Sequence, residues 1–166
     1  AKSFTNLKQI QYKFVKKGTS KGSVPYKTGT TLTLRDGMIG RVYVRFVTDA
    51  GIDEMQLSGI AVDKKAPTKT KIKVHRSGIK TLKTSTKTSY KKSAKFVFSA
   101  SYGISGKSKT QYKIVPKGKK ASKYRWKTAN KITYKKKNKK VSIYARFIDK
   151  CGNITQRKSS GFYITK

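Results

Sequence analysis

An internal repeat is the feature that most restricts how this chain can fold. Residues 11–18, Gln-Tyr-Lys-Phe-Val-Lys-Lys-Gly, recur at residues 111–118 as Gln-Tyr-Lys-Ile-Val-Pro-Lys-Gly, an offset of 100. In the ungapped stretch 11–34, nine of 24 positions are identical, and apolar positions match as well as lysines do. After one inserted residue, residues 42–46 match residues 143–147. The sequence therefore contains two copies of one structural unit.

Apolar and polar residues alternate with a period of two in the matched segments. Residues 141–148 read Val-Ser-Ile-Tyr-Ala-Arg-Phe-Ile, which is the pattern of a half-buried strand, and no convincing helical stripe is present. We predict an all-β protein. In the second copy the predicted strands are seven, enough for a small β-sandwich, at 70–76, 94–100, 110–115, 123–128, 131–135, 141–148 and 157–165. The predicted buried residues are Phe96, Phe98, Val141, Ile143, Ala145, Phe147, Val42, Val44 and Phe46.

Charge is divided unevenly along the chain. Residues 1–63 hold 10 Lys+Arg and 5 Asp+Glu, a net charge of +5, whereas residues 64–166 hold 32 cations and one acid, a net charge of +31. Between these parts lies a turn-forming string in which Pro67 interrupts any strand ladder. We predict a first domain at 1–63 and a second, strongly basic domain at 64–166.

The first domain is predicted to lack its opening strands. The second copy has about 40 residues, including two predicted strands, before its Gln-Tyr-Lys motif, whereas the first has ten. Because an open sheet edge is a pairing hazard, we expect an incomplete sheet or completion by strand-sharing with another chain or segment.

Two short motifs resemble those of bacterial immunoglobulin-like repeats. Residues 146–153, Arg-Phe-Ile-Asp-Lys-Cys-Gly-Asn, are similar to their late-strand and turn motif, and residues 59–68 are similar to the last strand and linker that join such domains. The resemblance spans nearly the whole chain and implies two tandem immunoglobulin-like β-sandwiches of a secreted or cell-surface bacterial protein, such as an adhesin stalk or a module appended to an enzyme. The first copy departs from the motif, with Thr48 and Ile52 in place of Asp149 and Asn153.

Residues for catalysis or metal binding are scarce. Asp149 is the only acid of the second domain, so that domain cannot supply the paired carboxylates of a glycoside hydrolase. One His and one Cys are too few for a zinc site. We expect Asp149 and Asn153 to bond the backbone of their own turn. We predict no enzymatic activity, metal or cofactor, and no apolar run is long enough for a transmembrane helix.

Lysine-rich loops are the strongest functional signal. In an immunoglobulin-type sandwich, the connections after strands one, three and five of the second domain share one end. They carry fourteen lysines and no acid, which favours polyanion capture over a merely solubilising surface. Lysine is a mobile point charge, so diffuse attraction is expected rather than sequence-specific readout. The lysines are Lys80, Lys83, Lys87, Lys91, Lys92, Lys117, Lys119, Lys120, Lys123, Lys135, Lys136, Lys137, Lys139 and Lys140.

Aromatic residues interleave with these charges. Tyr124 and Trp126 share one face by the period of two, and on an outer strand they could stack on sugar rings. The alternative is that Trp126 belongs to the core, because Tyr26 occupies the same register, and this is the interpretation that we prefer.

These observations lead to three hypotheses. The first is a non-enzymatic, extracellular spacer or adhesin segment whose second domain binds an anionic polysaccharide, teichoic acid or glycosaminoglycan. The second is a carbohydrate-binding accessory module of an extracellular glycan-degrading enzyme, with Tyr124 and Trp126 as its platform. The third, nucleic-acid binding, is permitted by the charge but lacks any base-reading motif.

Overall fold

The chain divides into two compact units, Ala1–Lys64 (unit 1) and Lys65–Lys166 (unit 2). The structure, a computed structural model, describes residues 6–75, 83–84 and 89–165. In these ranges the regular structure is β-strand apart from one 3-10 turn at Ala121–Lys123. No helix there has the length and apolarity needed to cross a bilayer. The predicted all-β fold class is confirmed.

Unit 1 is built on one antiparallel sheet of four strands. The strands are β1 (Leu7–Lys16), β2 (Lys27–Thr28), β3 (Ile39–Thr48) and β4 (Gly51–Ala61), in the spatial order β2-β1-β3-β4. Strands β3 and β4 form a hairpin in which Thr48 pairs with Gly51. Within residues 6–64 the structure contains no second sheet.

Unit 2 contains two four-stranded sheets and a short parallel pair. One sheet has the order β10-β9-β12-β13 and the other β6-β5-β8-β11, while β7 and β14 pair in parallel. The strands are β5 (Thr68–His75), β6 (Lys83–Thr84), β7 (Ser89–Lys91), β8 (Ala94–Ser101), β9 (Lys107–Pro116), β10 (Lys127–Thr128), β11 (Lys131–Tyr134), β12 (Val141–Asp149), β13 (Ile154–Lys158) and β14 (Tyr163–Thr165).

The core of unit 2 lies between its two large sheets. Every second residue of β12 is buried from Val141 to Phe147, and these side chains join one apolar cluster with those of β5 and β8. A core shared by two facing sheets makes this unit a β-sandwich. The predicted burial is confirmed for Phe96, Phe98, Val141, Ile143, Ala145 and Phe147.

Phe162 is a core residue that the sequence pattern did not reveal. Its ring is fully buried and contacts three aromatic rings, those of Tyr90, Phe96 and Tyr134, at centroid distances of 5.6, 4.8 and 5.7 Å. The strand predicted at 157–165 is divided into β13 and β14 by a break at Ser159. The Ser159 hydroxyl there accepts a 2.9 Å hydrogen bond from the Ile143 amide. The strand predicted at 123–128 is likewise shortened to β10, because the 3-10 turn occupies its start.

One face of the unit 1 sheet carries exposed apolar side chains. Phe46 and Val44 lie on this face together with Met55 and Leu57, which are 52% and 50% exposed. Val42 is buried as predicted, but Val44 and Phe46 are only half-buried, so their predicted burial is wrong. The physical reason is that no counterpart of strands β5 and β8 covers them in the described part of unit 1.

A segment of unit 1 that corresponds to a strand of unit 2 forms no strand. Residues 32–34, Leu-Thr-Leu, match residues 132–134 of β11, which pairs only with β8 in unit 2. In unit 1 the position of β8 is not filled within residues 6–64, and residues 32–34 lack regular structure. Strand formation in this segment therefore depends on the missing neighbour.

We predict that Phe147→Ala destabilises unit 2 far more than Phe46→Ala destabilises unit 1. Phe147 is fully buried, so its truncation should cost about 3 kcal/mol or more. Phe46 is half-buried and its loss leaves no closed cavity, so the cost should stay below about 2 kcal/mol. Amide hydrogen exchange in β12 and β3 of the full chain measures both values. Equal losses of stability in the two variants would contradict this prediction, because they would show that the apolar face of unit 1 is enclosed.

Candidate functional site

A basic pocket lies at the end of the unit 2 sandwich where β9 finishes and β12 begins. The pocket has a volume of about 250 Å³, and its lining includes Lys117, Lys119, Lys140 and Lys158 but no acid. The amide of Lys117 donates to the carbonyl of Lys140 at 2.9 Å, which holds the loops after β9 and before β12 together. Two of the three predicted lysine loops therefore meet at this pocket.

Strand β14 brings the remaining lysine loop to the same end. Ile164 of β14 pairs with Tyr90 of β7 on one side and forms a bridge with Lys137 on the other. The amide of Lys92 donates to the Thr165 carbonyl at 3.0 Å. The end segments of the first and third loops are thus separated by a single strand. The predicted site lysines in these two segments, all exposed, are Lys91, Lys92, Lys135, Lys136, Lys137, Lys139 and Lys140.

Other predicted lysines lie elsewhere or outside the described residues. Lys120 precedes the 3-10 turn and Lys123 is its last residue. The Ala121 carbonyl of this turn accepts a 2.7 Å hydrogen bond from Lys113 Nζ of β9. Lys80 and Lys87 lie outside the described residues, and Lys83 is described by its backbone in β6 alone.

The one acid of unit 2 does not neutralise these lysines. Asp149 is 1% exposed, and its carboxylate accepts 2.9 Å hydrogen bonds from the backbone amide and the side-chain amide of Asn153. The expected bond to the backbone of the turn is therefore confirmed for Asp149, whereas the Asn153 side chain donates to the Asp149 carboxylate. The exposed lysines at this end of the sandwich therefore have no acidic side chain of unit 2 on the surface with which to pair.

Trp126 lies on the outer face of the β10-β9-β12-β13 sheet, not in the core. It is half-buried and does not belong to the buried apolar cluster. The Arg146 guanidinium carbon and Lys113 Nζ each lie 4.5 Å from its ring centroid. The preferred sequence interpretation of Trp126 as a core residue is therefore wrong, because cation–π contacts cover part of the ring instead of the second sheet. Tyr124, also half-buried, precedes Trp126 by two residues.

Unit 1 repeats this arrangement at corresponding positions. Lys13 Nζ lies 4.3 Å from the ring centroid of Tyr26, and the guanidinium carbon of Arg45 lies 3.8 Å from it. Lys13 Nζ also donates to the carbonyls of Lys21 and Val24, as Lys113 does to Ala121. The cation-and-aromatic cluster is therefore a property of both copies.

A carboxylate completes the cluster of unit 1. Glu54, on β4 directly opposite Arg45, accepts hydrogen bonds from Lys21 Nζ, from the Tyr26 hydroxyl and, at 3.1 Å, from Arg45 Nε. The hydrogen bond from Lys21, followed by that from Tyr26, lowers the pKa of Glu54 from 4.5 to about 2. Desolvation and the bond to Glu54 raise the pKa of Tyr26 from 10.0 to about 12.

No arrangement for catalysis emerges from the described residues. Within them, no three His, Cys, Asp or Glu side chains come together in a group that could hold a metal ion. Cys151 is exposed in the turn after β12. The described residues instead present cations to solvent, at the basic pocket and on the outer face of the β10-β9-β12-β13 sheet.

We predict that Glu54→Gln reduces the acid sensitivity of unit 1. A carboxylate with a lowered pKa stabilises the fold fully above its ordinary pKa of 4.5, and this stabilisation is lost as the pH falls toward about 2. The wild-type chain should therefore lose stability over that interval, and Glu54→Gln should lose less. Urea midpoints from tyrosine circular dichroism at several pH values test this. Asp53→Asn, an exposed acid on the other face of β4, is the control; an unchanged slope for Glu54→Gln would contradict the assignment.

Comparison with known proteins adds no relative to this description. No protein-family model matches the chain, and no curated protein sequence matches it. The resemblance to immunoglobulin-like repeats therefore remains an expectation from short motifs of the sequence.

Proposed function

We propose that this chain is a non-enzymatic, extracellular module that serves as a spacer or adhesin segment and binds anionic polymers through unit 2. One observation carries the proposal. The only acid of unit 2 is buried and bonded within its own turn, while lysines from three loops lie exposed at one end. A surface of this kind concentrates polyanions and accelerates their capture. The ligand class is an acidic polysaccharide, teichoic acid or glycosaminoglycan.

The strand order supports an immunoglobulin-like domain for unit 2. Strands β5, β8 and β11 lie in one sheet and β9, β12 and β13 in the other, which is the order of strands A, B, E and C, F, G in immunoglobulin sandwiches. In unit 1 the strands β1, β3 and β4 correspond to C, F and G. A tandem of such domains suits a cell-surface or secreted protein, which is the localisation that we propose.

A carbohydrate-binding accessory module of a glycan-degrading enzyme is the second candidate. It is favoured by the position of Trp126 on the outer face of a sheet rather than in the core. Stacking on a neutral sugar would be nearly independent of salt, whereas polyanion binding weakens steeply as salt is raised. Salt dependence therefore separates the two functions.

Unit 1 is proposed to share strands with another chain or segment. Its open face presents Phe46, Met55 and Leu57, and residues 32–34 lack the neighbour that their counterparts have in β8. The occupant we propose is an antiparallel strand pair with the alternating apolar pattern of β5 and β8. Such a pair would extend the backbone ladder and cover the apolar face together.

We predict that neutralising five lysines of the third loop weakens binding to heparin more than neutralising five lysines elsewhere. The reason is that a localised cluster releases more counterions per complex than scattered charges do. The variant replaces Lys135, Lys136, Lys137, Lys139 and Lys140 by Gln. Heparin-column elution salt and the slope of affinity against salt are the measurements.

The matched control removes the same charge from five exposed lysines away from the basic pocket. It replaces Lys69, Lys71, Lys107, Lys109 and Lys150 by Gln. Thermal melts verify that both variants fold. Equal shifts in elution salt would indicate a uniformly basic surface and would refute a localised site.

We predict that Met55→Asp abolishes capture of a strand pair by unit 1, whereas Gln56→Asp does not. Both residues are exposed on β4, but they lie on opposite faces, so only the first places a charge under the proposed occupant. The probe is a peptide with the sequence of residues 68–101, added to the full chain, with amide exchange at residues 32–34 as the readout. Absence of protection, or its equal loss in both variants, would contradict strand-sharing.

A further inference from the structure

The two units differ at the centre of the same cation-and-aromatic cluster. In unit 1, β3 places Arg45 opposite Glu54 of β4; in unit 2, β12 places Arg146 opposite Gln156 of β13. Lys21, the second charged partner of Glu54, is matched at the offset of 100 by Ala121. The scaffold that surrounds a carboxylate in unit 1 is therefore present in unit 2 without a carboxylate of its own.

Two of the three donors to Glu54, Arg45 and Tyr26, have counterparts in unit 2 that also carry hydrogen-bond donors. Arg146 lies 4.5 Å from the Trp126 centroid, as Arg45 lies beside Tyr26, and Lys113 corresponds to Lys13. A guanidinium has five N–H donors, and Arg146 uses its Nε toward Gln111 Oε1 at 2.8 Å. Where Tyr26 donates a hydroxyl to Glu54, Trp126 carries an indole N–H donor.

The electrostatic surroundings of the cluster in unit 2 favour an anion. Lys158 of β13 lies over the Tyr144 ring at 5.4 Å, and Lys113 lies 5.9 Å from the same ring. The only acid of the unit, Asp149, is buried in its own turn. A carboxylate brought from outside would therefore meet fixed cations and no repelling charge.

We propose that unit 2 binds a ligand carboxylate beside Gln156, at Arg146 and Trp126, which are the counterparts of two residues that bind the Glu54 carboxylate in unit 1. We call these three residues the carboxylate seat. The ligand class is a uronic acid unit of an acidic polysaccharide. The carboxylate chemistry follows from the comparison of the two units, whereas its source in a glycan rests on the proposed function. None of the three seat residues lines the basic pocket, although the neighbouring Tyr144 and Lys158 do.

The variant Gln156→Glu tests the seat by restoring the internal carboxylate of unit 1. It should fill the seat and lower the affinity for trigalacturonate about tenfold or more, since a charge-assisted hydrogen bond to the ligand is lost. The control Thr133→Glu adds the same charge at an exposed strand position on the other sheet, and its affinity should stay within about twofold of wild type. Isothermal titration calorimetry with the full chain gives the affinities.

Trp126 is the only tryptophan of the chain, so its fluorescence locates the binding event at the seat. Trigalacturonate should change this emission in the wild type, and its methyl ester, which lacks the charge, should not. Equal weakening by Gln156→Glu and Thr133→Glu, or no weakening by either, would overturn the seat.

Two further probes separate the seat from its neighbours. Triglutamate that binds as tightly as trigalacturonate, with the same loss in Gln156→Glu, would retain the carboxylate chemistry but refute a glycan source. The five-lysine variant of the third loop should lose heparin affinity while trigalacturonate still changes the Trp126 emission. These measurements therefore distinguish an absence of ligand binding at the basic pocket from an absence of ligand binding at the seat.

Discussion

Burial of one face of β12 is the constraint on which the architecture of unit 2 depends. Ile143, Ala145 and Phe147 are fully buried because a second sheet lies across them. The free energy of the core comes from that sheet-on-sheet contact, since a single sheet cannot close either of its faces to water. Unit 1 has the same strand pattern, but without a second sheet in its described residues Phe46 stays half-exposed. The partner sheet, rather than the alternation itself, completes the core.

The outer face of the sheet that contains β12 orders cations in a unit of net charge +30. Lys113 is held by the Ala121 carbonyl and by the Trp126 ring, neither of which is an acid. A ring quadrupole and a carbonyl dipole attract the ammonium without cancelling its charge. The sheet is therefore stabilised while its positive potential is preserved, and that potential is available to an external anion.

The period of two was sufficient to predict β8 and β12 and their buried residues, because one face of each of these strands is almost entirely apolar. It could not predict that Phe46 is half-exposed, since alternation identifies an inward face but not whether a second sheet covers it. The error at Trp126 has a related cause: both faces of this sheet carry large side chains, and alternation does not say which is inside. Phe162 was missed because the strand is interrupted at Ser159. The Ser159 hydroxyl there bonds the Ile143 amide, and a contact between residues so distant in sequence leaves no local pattern.

The internal repeat separates what the fold requires from what differs between its copies. Arg45 and Arg146 occupy the same place on the central strand, so the scaffold retains the cation whether or not a carboxylate faces it. Glu54 and Gln156 differ in charge but hardly in size, and both are exposed strand residues. The fold of either unit could therefore accommodate either residue. Structural need thus explains the shared arginine but not the missing acid. An unneutralised guanidinium beside an aromatic ring is the expected state of a surface whose counter-charge comes from another molecule.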